Sequence, residues 1–324
     1  MNFTVQPHDA TGSAARSAIA FHVRSLIAQV PAAQKGEAEP VHQVRVAARR
    51  LRSAVRLFAA YISAIKPKET DARLKWLGQQ AGAVRDLDVL EGLMQKRAKK
   101  LDAPVAKDLE PLFEELRVRR AKAAQNLATS LASRRYKELV ARLSAPIAIT
   151  TQGDAAFGSV AADLFAPMLK AMMRAGHKMP EEPSPEDLHR LRKRAKGSRY
   201  ALETMLAIDE KRLGSVLKSL EDLQDLVGGY HDAVVAVAWV KEFVTSRELP
   251  ANVAFACGAL AEAIQRGERK LKRRGLKQWN RFAKTDPDRI VKKALAKVQP
   301  KGVSSDDAVH YAPRTGGRAH AQGR

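Results

Sequence analysis

The spacing of apolar residues constrains this chain more than any other feature. They recur at intervals of three and four along almost the whole length, and strand-like alternation is scarce. Ala and Leu are plentiful, while Gly and Pro fall mostly at the edges of the periodic runs. The pattern predicts an all-α fold. Breaks are expected at Pro31–Pro40, Lys66–Lys68, Asp102–Pro104, Ser144–Asp154, Met179–Pro185, Gly228–Gly229 and Arg247–Pro250. Ser184, Pro185, Glu186 and Asp187 read as a helix start, with a serine cap, proline at the first position and acids in the positive first turn. Residues 1–12 are expected to form a flexible N-terminus and 300–324, rich in Gly, Ser, Arg and His, a disordered basic tail.

Within the helical pattern lies a repeat. His42, Arg45, Arg49 and Arg52 match His189, Arg192, Lys196 and Arg199, each 147 positions on. Gly82, Arg85 and Asp86 match Gly228, His231 and Asp232 at 146 positions, as Arg120 matches Arg266 and Arg135 matches Arg281. Nearly one offset, repeated along the chain, indicates a duplicated helical unit. The expectation is one domain over 13–299 with halves at about 13–148 and 154–299, packed with approximate two-fold symmetry.

Helical geometry turns the motif into a surface. With His42 at zero, Arg45, Arg49, Arg52 and Arg56 fall within an arc of about 80°. Val44, Ala48, Leu51, Val55 and Phe58 occupy a separate arc that can face a core. No acid lies between His42 and Arg56, nor between His189 and Arg199. In the second row Lys193, together with Arg190 and Arg194, adds charge on the remaining faces. A third stripe, Arg266, Lys270, Arg273, Lys277 and Arg281, shares one side if its helix continues through Gly275. Its first-half counterpart keeps Arg120 and Arg135 but has Ala124, Leu127 and Leu131 between them. Like charges one turn apart repel by several tenths of a kcal/mol per pair. Rows of this kind make sense when a polyanion neutralises them, because each guanidinium fork can engage two phosphate oxygens.

Composition narrows the partner. A formal charge of +22 selects polyanions: nucleic acid, an anionic membrane or a phosphate polymer. The 45% hydrophobic content argues against a disordered chain, and a single cysteine, Cys257, excludes an intrachain disulfide framework and fits a reducing, cytoplasmic setting. Aromatic residues at 5% are too few for a base-stacking platform. The longest apolar stretch, Ile19–Val30, is broken by His22, Arg24 and Ser25, so no membrane span is expected. Cys257 and the three tryptophans read as core. Asp86 and Asp232 read as groups that orient arginines or cap helices. For His42 and His189, ligand contact and a structural role remain equally open.

Together, the row from His42 to Arg52, the segment from Gly82 to Leu90 and their second copies resemble the CHAD family, the conserved histidine α-helical domain. The resemblance runs from about Ser13 to Gln299. It implies two four-helix-bundle-like halves related by pseudo-two-fold symmetry around a basic groove or cavity. It also implies binding of inorganic polyphosphate, association with polyphosphate or polyhydroxyalkanoate granules, and neither catalysis nor a cofactor. The residues it marks are His42, Arg45, Arg49, Arg52, His189, Arg192, Lys196 and Arg199, followed by Arg120, Arg135, Arg266 and Arg281. Arg56, Lys270 and Arg273 extend the candidate set through their place on the stripes, and Lys193 through the charge it adds beside the second row. Many relatives carry a preceding triphosphate-processing domain with an ExExK motif. Here the nearest string ends in Val41 and lies in a Pro-rich stretch, so a stand-alone type is expected. Two further classes compete. A nucleic-acid module has the required charge, with weak non-specific binding expected in any case, but lacks aromatic interleaving, zinc-finger spacing and a homeodomain-like arm. A phosphohydrolase would need carboxylate-held Mg²⁺, a Gly-rich loop or an activated nucleophile. No Walker loop occurs, but a histidine nucleophile stays open.

Overall fold

Periodic sequence becomes helix throughout the computed structural model, which describes residues 3–63 and 65–298. In the first half α1 (Thr11–Gln34), α2 (Ala38–Leu57), α3 (Pro67–Ala98), the single turn α4 (Ala103–Lys107), α5 (Glu110–Ala132) and α6 (Arg134–Ser144) follow in order. The second half runs through α7 (Phe157–His177), α8 (Pro185–Met205), α9 (Glu210–Thr245), α10 (Ala251–Lys284) and α11 (Pro287–Leu295). Among the described residues, β-structure amounts to two isolated bridges. The fold is all-α.

Most boundaries fall where turn chemistry puts them. The Ser184 side chain accepts from the Asp187 N–H while Asp187 accepts from the Ser184 N–H, a full capping box that opens α8. The break expected within Pro31–Pro40 falls between Gln34 and Ala38, where Gly36 has a φ of +77° that suits the left-handed exit from a helix. One expected break is absent: Gly228 and Gly229 do not interrupt α9. A Cβ on Gly228 would lie 3.5 Å from Nε of Arg192, and one on Gly229 would lie 3.3 Å from Leu271. These glycines therefore serve close approach between helices, an alternative to chain reversal that their bare presence cannot signal.

Neighbour follows neighbour in both halves: α1 packs on α2, α2 on α3 and α3 on α5, as α7 packs on α8, α8 on α9 and α9 on α10. Burial does not respect the halves. One core draws Leu26, Leu51, Leu74 and Leu77 from the first half together with Phe165, Leu191, Leu202 and Leu220 from the second. Another joins Leu90 and Met94 of α3 and Leu112 and Phe113 of α5 to Val240 and Phe243 of α9 and Cys257 and Leu260 of α10. Each core thus couples the halves, and the acid-free rows of α2 and α8 are held by apolar faces that no single half would satisfy. Fully burying one leucine of this set contributes about 2 kcal/mol.

The segment 3–12 is packed, which corrects the expectation of a flexible N-terminus. Val5 is buried and donates its N–H to the Thr204 carbonyl at 3.0 Å, while the Thr11 N–H reaches the Ala155 carbonyl at 2.9 Å. The signal was there in Phe3 and Val5, two apolar residues in a segment too short to show a period. The tail over 300–324 lies outside the described residues.

Candidate anion-binding groove

Four helices supply the groove. From α2 come His42, Arg45 and Arg49, and from α3 Arg85 and Asp86. From α8 come His189, Arg192, Lys196, Arg199 and Tyr200, and from α9 Gln224, Asp225, His231 and Asp232. The space holds about 1330 Å³ and opens to solvent. Five arginines and one lysine face three aspartates, so the lining is cationic before any histidine titrates. Both rows therefore meet in one place.

The glycine-to-aspartate motif explains how each row is aimed. Arg45 lies across α3 at Gly82, where a Cβ would come within 3.4 Å of its Nη1, and donates to the Gly82 carbonyl at 3.3 Å. One turn on, Asp86 accepts from the same Nη1 at 2.5 Å. In the second half Arg192 passes Gly228 and approaches Asp232 at 3.9 Å. Asp86 and Asp232 thus orient arginines, as their positions suggested.

At the centre, Arg49 and Lys196 hold equivalent places in the two rows. Neither has a carboxylate partner among the described residues. The Arg49 guanidinium instead sits over the Tyr200 ring, 5.2 Å from its centroid, with Arg199 at 5.0 Å from the same ring. Burial first, then Arg192, Arg49 and Arg45, hold the Lys196 ammonium down to about 7, against which Asp232 pulls upward. Burial likewise lowers Arg49 from its ordinary value, with repulsion from Arg45, Arg199 and Arg50 added. Burial and the surrounding cations both disfavour the charged form of this centre.

All three groove histidines are held below the ordinary imidazole value. For His42 the cause is burial and then Arg85, for His189 burial and then Lys193, and for His231 burial and then Arg192. The His189 and His231 rings lie 4.7 Å apart. His42 and His189 share one more feature: Nδ1 of each is buried without a hydrogen-bond partner.

Several residues expected on the surface of this site are occupied elsewhere. Arg52 clamps Asp71 of α3 with Nε at 3.0 Å and Nη2 at 3.3 Å, and Arg56 joins it at 2.7 Å. Asp71 is consequently held below the usual carboxylate range, its burial outweighed by the two guanidinium groups. Arg120 binds Asp88 and the Gly36 carbonyl, and Arg135 lies 4.3 Å over the Trp76 ring. Helix α10 does run unbroken through Gly275, but Arg266 turns to Glu262 at 3.8 Å and neither it, Lys270 nor Arg273 lines the groove. Lys277 and Arg281 face Asp222 and Asp225 in a separate depression with Arg274. Lys193 and Arg56 also lie outside the groove, in a depression beside it. For Arg52, Arg56 and Arg120 the acids arrive from another helix, Asp71 and Asp88 of α3, which an acid-free stretch of sequence does not reveal.

Sequence reasoning missed the support beneath the groove. Glu203 is buried at 5% exposure, 3.3 Å from Arg199 on its own helix and 3.3 Å from Arg50 of α2. Burial raises its carboxyl above the usual value, opposed by both guanidinium groups. The i,i+4 spacing from Arg199 to Glu203 was a readable signal; the link to Arg50 was not.

Fold and groove together define a class: an all-α protein in which two arginine-bearing helices expose a shared cationic trough. The CHAD domain family model matches residues 17–241, and the chain belongs to that family. The match ends inside α9, yet α10 and α11 complete the same cores. Among solved structures, PptA from Streptomyces chartreusis superposes with a TM-score of 0.67 at 18% identity, covering 84% of this chain and all of that one. The CHAD domain from the plant Ricinus communis gives a TM-score of 0.63 at 24% identity, covering 91% of this chain and 95% of the other. These likenesses establish the shared fold. No curated protein matches the sequence.

Proposed function

We propose that the groove binds inorganic polyphosphate and does not turn it over. The observation that carries this reading is that Arg49 and Lys196, from equivalent places in the two rows, line one groove and neither has an ion-pair partner among the described residues. A chain of tetrahedral oxyanions supplies negative charge at short, regular intervals, and guanidinium forks from α2 and α8 can bind it from two sides. With Nδ1 buried in both His42 and His189, Nε2 is the nitrogen left to donate to phosphate once the ring is protonated. Membership in the CHAD family supports the same ligand, and association with polyphosphate or polyhydroxyalkanoate granules follows as part of the proposal.

Binding is favoured over turnover by the placing of two groove carboxylates. Asp86 is held by Arg45 and Asp232 lies beside Arg192, so each is engaged with an arginine of its own row. Among the described residues no group of three or more His, Cys, Asp or Glu could hold a metal ion, and no helix is long and apolar enough to cross a membrane.

Competition at two salt concentrations tests the ligand. Long-chain polyphosphate is expected to displace duplex DNA at low concentration, with an affinity that falls steeply as salt rises. Displacement of polyphosphate by DNA at comparable concentration would instead favour the nucleic-acid reading. Phosphate release from pure polyphosphate with Mg²⁺ or Mn²⁺, abolished by His42→Ala, would make the protein an enzyme.

A further inference from the structure

Beside the groove lies a second depression of about 1380 Å³. Arg190, Lys193 and Arg194 line it from the outer face of α8, and Arg56 reaches it from α2. Glu186 is the acid among its lining residues. Lys193 and Arg194 are exposed and have no carboxylate partner among the described residues, while Arg190 is loosely held by Asp187 at 3.5 Å and stays 63% exposed. His189 and His231 line both spaces, so the depression and the groove are contiguous through that pair of rings.

Nothing equivalent marks the first half. Displaced by the repeat of 147, the positions of Arg190, Lys193 and Arg194 are filled by Gln43, Val46 and Ala47, none of them charged. A local field of this sign, open to solvent and joined to a trough already suited to phosphate, favours continuation of a polyanion on the α8 side.

We propose that this depression is a second subsite, which takes the outgoing segment of a linear phosphate polymer too long for the groove and so directs long chains out past the His189–His231 pair. The proposal rests on the polyphosphate reading of the groove and adds a direction and a length dependence to it. Short polyphosphate fills the groove alone. Long polyphosphate gains contacts with Arg190, Lys193 and Arg194.

The test compares the full chain with its Arg190→Gln/Arg194→Gln variant, using tripolyphosphate and long-chain polyphosphate as probes. Long-chain affinity is expected to fall about ten-fold, and the slope of log K against log salt to flatten by about 1.4, two cations at about 0.7 each. Tripolyphosphate affinity should stay within about two-fold of the parent. The charge-keeping variant Arg190→Lys/Arg194→Lys, with the same helicity, should restore most of the long-chain affinity. An equal loss for both probes, or no loss for the long chain, overturns the subsite. Failure of the parent protein to bind either probe overturns the polyphosphate reading itself and the subsite with it.

Discussion

The two halves aim the same motif with different force. In the first, Arg45 is pinned by Asp86 and the Gly82 carbonyl, while Arg52 and Arg56 both close on Asp71. In the second, Arg192 stands 3.9 Å from Asp232, and Arg199 divides itself between Glu203 at 3.3 Å and Glu221 at 4.0 Å. Arginines already saturated by carboxylates stiffen a wall, whereas loosely paired ones retain donors for a ligand. The comparison teaches that identical spacing in sequence can yield tightly paired arginines in one row and loosely paired ones in the other.

Single alanine variants should break this symmetry most visibly. Arg192→Ala is expected to weaken polyphosphate binding about 30-fold with little change in melting temperature, in line with the loss of one charged hydrogen-bonding group. Arg45→Ala should cost less affinity, about five-fold, but destabilise the fold by up to about 1 kcal/mol, because the Gly82 carbonyl and the exposed Asp86 lose their partner. Isothermal titration and thermal melts on the same samples check both. Equal effects of the two variants would erase the distinction between tightly and loosely paired arginines.

The centre of the groove sharpens the contrast through pH. Lys196 faces Arg45 and Arg49 from α2, Arg192 on its own helix and Asp232 from α9, and burial with these arginines holds its ammonium down to about 7. Its depressed value means the unfolded chain binds this proton more tightly, so the contribution of Lys196 to apo stability rises with pH between about 7 and 10.5. Polyphosphate restores the charged form, so binding takes up a proton and affinity should fall as pH rises through 7. Up to about ten-fold per pH unit is the limit for one group. Lys196→Arg, the residue type found at position 49, should flatten that profile and raise affinity at pH 8. A profile unchanged by Lys196→Arg would assign the proton to the groove histidines.

The smallest effects are expected away from the trough. Arg120→Ala and Arg266→Ala should each change polyphosphate affinity less than about two-fold, as surface charges screened by salt do. Arg120→Ala should nonetheless lower stability, since Asp88, 10% exposed at its side chain, would lose its guanidinium. A large loss of affinity in Arg266→Ala would bring the α10 stripe back into the binding site.

Much of this architecture was legible in the sequence. Periodicity gave the helical class, and the offset between His42 and His189 located the pair of helices that meet in the groove. Asp86 and Asp232 were readable as groups that orient arginines or cap helices, and the structure sets each beside an arginine of the neighbouring helix. What stayed hidden were contacts between elements distant in sequence. Asp71 beneath Arg52, Asp88 beneath Arg120 and Trp76 beneath Arg135 all come from other helices, and each removes a cation that its own helix left unpaired. Gly228 and Gly229 misled for a related reason. Their lack of a side chain serves Arg192 and Leu271, whose approach is decided by packing.

The central claim is that side chains from both rows grip one phosphate chain in one trough. Calorimetric titration of long-chain polyphosphate into the Arg45→Glu/Arg192→Glu variant, with helicity checked by circular dichroism, addresses it directly. The account expects full helicity and binding weakened at least about 100-fold, far beyond either single reversal. Full helicity with affinity equal to that of the parent protein would contradict it.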